Sequence, residues 1–187
     1  MSEKTQLLLE GLRRTDSFIL AADQKSSFCL AAGLAFLGIY STLFYSVLSD
    51  EKTVIQPTLT CTILGLILIP WIMFFKYIQN VFSPNLKQSK TKSIISFSSI
   101  KSSHANLDEF KLTYRSLHDD NDFNCFTEND ILENHWICSE ICFDKMKNFK
   151  KGLYWLWLSL SSSILGLAIL IFFSEYSDFV KLLGICK

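Results

Sequence analysis

Polar and apolar positions segregate along this chain on two scales. Three stretches, 26–48, 58–75 and 153–173, are apolar on every face and carry no Asp, Glu, Lys or Arg. A helix rises 1.5 Å per residue, so about 23 residues cover roughly 35 Å, enough for the ~30 Å hydrocarbon core of a bilayer. Each stretch therefore predicts a transmembrane helix. The remaining sequence is amphipathic: Leu7, Leu8, Leu9, Leu12, Ile19 and Leu20 form a stripe broken by Glu10, Arg13, Arg14 and Asp16, the pattern of a helix with one apolar side. No breaker separates that stripe from the first span.

The pattern divides the chain into a stalk helix 1–25, a first span 26–48, a short turn 49–57 and a second span 58–78. A polar region 79–152, a third span 153–173 and a tail 174–187 follow. The first run is longer than the apolar core of a secretory signal, about 7–15 residues, and no small-residue cleavage pattern closes it, so it is expected to stay in the protein. Pro57 suits the first turn of span two. Pro70 lies within that span and is expected to kink it. Trp71 and Tyr77, with Tyr154, Trp155 and Trp157 on span three, are placed as interfacial aromatics. Pairs four apart, Ala31 with Ala35, Ser159 with Ser163 and Ser162 with Gly166, are the small-residue spacing that lets helices approach, within the chain or between copies.

In the polar region, 93–100 reads equally as an extended segment or a buried turn of helix. Asn106 followed by Glu109 is a helix start, with asparagine as N-cap and glutamate three residues on. The residues 118–124 read as a polar loop, and Thr127 opens a long last helix. Its stripe of Ile131, Leu132, Trp136, Ile141, Phe143 and Met146 is expected to pack on the N-terminal stalk. The predicted fold is an all-α membrane protein: three transmembrane helices, with a helical cytoplasmic domain built from the stalk and the segment between spans two and three.

Composition sharpens the topology. The chain has 187 residues, of which 18 are basic and 18 acidic, for a formal net charge of +0, so no nucleic-acid polymer is expected as partner. Lys4, Arg13, Arg14 and Lys25 precede span one, and eleven Lys and Arg residues run from Lys76, at the end of span two, to Lys151, just before span three, against Lys52 in the turn and Lys181 and Lys187 in the tail. The positive-inside rule then puts the N-terminus and the middle region in the cytoplasm. The six cysteines are spread over both sides and the spans and imply no disulfide framework.

Candidate chemistry is sparse. His135, Cys138 and Cys142 share a helical face with metal-ligand spacing, but a packed cysteine face is the stronger expectation and no metal is assigned. No P-loop, GxGxxG or placed carboxylate pair occurs, so neither an enzyme nor a cofactor is expected. The basic residues near span three are explained by topology and lipid contact; Lys145, a turn deeper, is not. Asp23 and Lys25 stand where the stalk meets the bilayer.

Order and spacing nonetheless form a pattern. The stretch LRRTDSFILAADQKSS runs into span one, SIISFSSI and EFKLTYRSL follow span two, and NDILENHWICSEICFDKMKNFKKG runs into span three. This arrangement resembles the Pycsar effector transmembrane family. The positions matching its short motifs are Asp23 and Lys25, residues 97–100, Tyr114, Asp130 and Lys145; Ser98 and Ser99 stand where a glycine or aspartate is often found.

The resemblance implies an antiphage effector in the bacterial inner membrane, multi-pass, with a cytoplasmic N-terminus. A partner pyrimidine cyclase would supply a cyclic mononucleotide, cCMP or cUMP, and the effector, as a homo-oligomer in the bilayer, would impair the membrane and kill the cell. The residues expected to contact the nucleotide are Arg14, Asp23, Lys25, Tyr114, Arg115, Trp136 and Lys145, the cations meeting its phosphate and an aromatic stacking on its base. The alternative is a constitutive membrane scaffold that binds another protein through its cytoplasmic helices.

Overall fold

A computed structural model describes residues 3–49, 57–83, 93–116 and 120–182, without the side chains of 97, 98, 120–124 and 174–182. Among the described residues there are five helices: α1 (Glu3–Leu48), α2 (Pro57–Phe82), α3 (Phe97–Ser103), α4 (Leu107–Ser116) and α5 (Asp120–Leu182). No strand occurs among the described residues. Three helices, α1, α2 and α5, are long and apolar enough to cross a membrane. The fold is all-α with three membrane-spanning helices, as the hydropathy pattern predicts. Most of the turn 49–57 and the end of the tail lie outside the described residues, as do 84–92 and 117–119.

The last helix corrects one boundary. It starts at Asp120, seven residues before the cap expected at Thr127, so much of the predicted polar loop 118–124 is helical. The helix α2 begins at Pro57 and continues past Pro70 to Phe82.

The chain forms two compact units. One joins Met1–Asp23 to Ser83–Met146, and the other joins Gln24–Phe82 to Lys147–Lys187. In the apolar unit the core is Tyr40, Ile63, Ile67, Trp71, Phe74, Ile78 and Leu170. Trp71 is only 2% exposed and its Nε1 donates to Ser163 Oγ at 3.1 Å. It is a core residue, not the interfacial aromatic expected, because its one polar atom finds a partner inside the bundle. Tyr154 and Trp157 do face outward.

The small residues of span three serve packing within the chain. Ser159, Ser163 and Gly166 are buried, and a Cβ on Gly166 would stand 2.6 Å from Ile67 Cδ1 and 3.0 Å from Ile63 Cγ2. Only a residue without a side chain lets α5 approach α2 this closely. Ala31 and Ala35 are exposed on α1.

Short-range polar contacts order residues 93–116 of the polar unit. The segment read either as strand or as helix is a turn at 93–96 leading into α3. Ser93 Oγ accepts from the amides of Ile95 at 3.1 Å and Ser96 at 2.9 Å. The predicted cap at Asn106 is present: its Oδ1 accepts from Glu109 N at 2.9 Å, and Glu109 Oε2 accepts from Ala105 N at 2.8 Å. Between α3 and α4, His104 is buried, with Nε2 3.1 Å from Thr113 Oγ1 and its ring edge-on to Phe110.

Candidate functional site: the junction of α1 and α5

Two parallel helices, both running on as membrane-spanning segments, form the frame of the polar unit. Three pairs fix their register. A Cβ on Gly11 would lie 3.0 Å from His135 Cε1, Asp16 faces Cys138, and Lys145 Nζ donates to Asp23 Oδ1 at 2.5 Å. Asp16 and Asp23 are seven apart, and so are Cys138 and Lys145. Two helical turns therefore bring both partners back to the same face. Heptad spacing of the aspartates was visible in the sequence, while the matching spacing of a thiol and a lysine carries no obvious signal.

The Asp23–Lys145 pair is sheltered. The Lys145 side chain is 13% exposed and that of Asp23 35%, so solvent screens it less than a surface pair. Higher in the unit, burial and then the Asp16 carboxylate hold the Cys138 thiol above its ordinary value near 9.0. Burial raises the Cys142 thiol as well. Both effects disfavour the thiolate, so these cysteines are poor nucleophiles. Among the described residues no group of three or more His, Cys, Asp or Glu side chains is placed to hold a metal ion, and His135 and Cys138 are used in packing on α1.

Asp130 has a role that spacing did not reveal. It is 3% exposed and its Oδ2 accepts from Ile94 N at 2.9 Å, tying the short apolar turn to α5. Its other oxygen, Oδ1, is buried without a hydrogen bond, as is Thr127 Oγ1 one turn earlier.

Of the seven candidate contact residues, Asp23 and Lys145 are brought together. Arg14 turns to Glu10 on the exposed side of α1, at 2.7 Å. Lys25 is exposed two residues beyond Asp23. Tyr114 and Arg115 are exposed in the last turn of α4, where a cation complements the helix C-terminus.

Trp136 is 69% exposed, on the rim of a concavity of about 420 Å³ with Ser139, Glu140, Phe143 and Asp144. This corrects the packing stripe expected for α5. The face turned to the unit's interior is Asp130, Ile131, Asn134 and Ile137, whereas Leu132, Trp136, Phe143 and Met146 are exposed. Polar residues took interior positions because Asp130 and Lys145 have partners there, and the 3.6-residue period then turns the aromatics outward.

The fold and this junction define a class: an all-α, three-span membrane protein whose polar unit is clamped by helices that themselves continue as spans. A family model for the Pycsar effector protein domain matches residues 7–173, and the chain belongs to that family. No curated protein and no solved structure matches the chain. Family and spans together make it a membrane effector of antiphage defence.

Proposed function

We propose that this effector senses a cyclic pyrimidine mononucleotide, made by a partner cyclase during infection, and responds by impairing the integrity of the inner membrane. The polar unit is the cytoplasmic sensor, in keeping with the bias of Lys and Arg in the sequence. The protein acts by binding and rearrangement, without catalysis and without a cofactor.

The observation that carries the reading is the Lys145–Asp23 pair at 2.5 Å. A lysine already desolvated and engaged by one carboxylate is suited to meet the single negative charge of a cyclic phosphate. The phosphate competes with Asp23 for Lys145, and exchange of one anion for the other loosens α1 on α5. A ligand moves an equilibrium only through its different affinity for two states, and this exchange supplies the difference. Arg14, Lys25 and Arg115, all exposed, are the further candidates to meet the phosphate, and Tyr114 or Trp136 to stack on the base.

The test is isothermal titration of the full-length protein in nanodiscs with cyclic CMP and cyclic UMP. One of the two is expected to bind, and Lys145→Ala to weaken it by about tenfold or more, since a hydrogen bond to a charged group contributes about 1.5–3 kcal/mol. Absence of binding by both nucleotides would end this reading.

A further inference from the structure

The outer face of α5 in the polar unit is apolar and aromatic. Leu132, Trp136 and Phe143 are 46%, 69% and 68% exposed, with Glu140 and Asp144 along one edge. Such a face in water needs a cover. On α1, Leu7 and Phe18 are also exposed, at 74% and 56%, and Arg14 lies between them on the same side of the helix. We propose that these two faces dock on each other between copies of this chain, the α1 face of one copy on the α5 face of the next.

Register supports the pairing. The contacts Gly11 with His135, Asp16 with Cys138 and Asp23 with Lys145 set residue n of α1 level with residue n + 122 to n + 124 of α5. Copies inserted in one bilayer with one orientation keep these levels when they meet side by side. Leu7 then stands level with 129–131, beside Leu132; Arg14 with 136–138, beside Trp136 and one turn from Glu140; and Phe18 with 140–142, beside Phe143.

The chemistry at each level is complementary. Arg14, which already holds Glu10, has five donors and a planar face, so it can also reach the Glu140 carboxylate and stack on Trp136. Docking α5 on α5 of a parallel neighbour would instead set Glu140 against Glu140, and like charges facing each other are disfavoured. The favoured contact is therefore head-to-tail, which builds rings or rows. Large aromatics bury roughly 150–250 Å² each, so the patch falls below the ~800 Å² per partner of a standard soluble complex. Confinement to one membrane raises the effective concentration that a small patch needs. The proposal rests on the membrane-effector reading proposed above and gives the homo-oligomer that the family resemblance implies a contact surface.

The experiment places p-benzoylphenylalanine at Phe143 of the full chain in liposomes that also hold a differently tagged copy, with and without cyclic CMP and cyclic UMP. Irradiation is expected to link the two copies, with the attachment mapped by mass spectrometry to α1 between Arg14 and Ala21. Arg14→Glu and Glu140→Arg are each expected to lower the yield about fivefold, and the two together to restore it. Links to α5 of the other copy, links to lipid alone, or no link under any condition would overturn the proposal, as would failure of the paired charge reversal to rescue. Nucleotide affinity measured on the same samples separates the two readings: intact binding without links removes the surface alone, and links without binding remove the ligand alone.

Discussion

Removing Asp23 and removing Lys145 are predicted to cost unequal amounts, because the two members of the pair are unequally buried. Their side chains are 35% and 13% exposed respectively. Breaking a fully buried pair costs about 3–5 kcal/mol through the charge left behind, and an exposed pair is worth about 0–1 kcal/mol. This pair lies between. Asp23→Ala strands the deeper charge, that of Lys145, and is expected to cost about 2 kcal/mol after discounting for solvent. Lys145→Met leaves the Asp23 carboxylate its solvent and its other contacts and keeps the aliphatic stem, and is expected to cost about 1 kcal/mol. For a protein of this size 1 kcal/mol moves the Tm by about 2–4 °C, so the losses are roughly 4–8 °C and 2–4 °C in nanodiscs. The double variant is expected to be no less stable than Asp23→Ala, which cancels the other contacts Asp23 makes from the coupling. Additive losses, or a larger loss for Lys145→Met, would refute the assignment of this pair as a clamp between α1 and α5.

Other outcomes follow from the same contacts. Asp130→Ala is expected to cost about 1–3 kcal/mol by leaving Ile94 N without its acceptor, with faster hydrogen exchange concentrated at that amide. Gly166→Leu overpacks the approach to Ile63 and Ile67 and is expected to cost about 1–3 kcal/mol. Gly38→Ala, where nothing lies within 4 Å, is expected to be neutral or stabilising by up to about 1 kcal/mol; thermal scans of both decide. The Cys138 thiol is held above its ordinary value near 9.0, so the folded state keeps its proton where the unfolded chain begins to lose it. Stability from this group is full below pH 9 and falls above it, and Cys138→Ser is expected to flatten that alkaline decline in a pH series of Tm.

The spans were legible because apolar character on every face is a coarse property that survives any rotation of the helix. The helix start at Asn106 was legible for a different reason, since its donors and acceptors lie within four residues of each other. What the sequence could not convey was which side of α5 faces inward. Ile131 and Ile137 pointed one way and Leu132, Trp136 and Phe143 another, and the choice fell to Asp130 and Lys145, whose partners are 36 and 122 residues away. The same limit applied to Trp71, whose place in the core depends on a serine 92 residues further on. Asp23 and Lys145 were both singled out as candidates, one at the membrane edge and one as a lysine deeper than topology requires. Their union needed the fold.

Leakage of an entrapped dye from liposomes carrying the full-length protein tests the central proposal most directly. Cyclic CMP or cyclic UMP is expected to release the dye, while cyclic AMP at the same concentration and protein-free liposomes do not. Retention of the dye with both pyrimidine nucleotides, or equal release with cyclic AMP, would contradict a membrane effector gated by a cyclic pyrimidine signal.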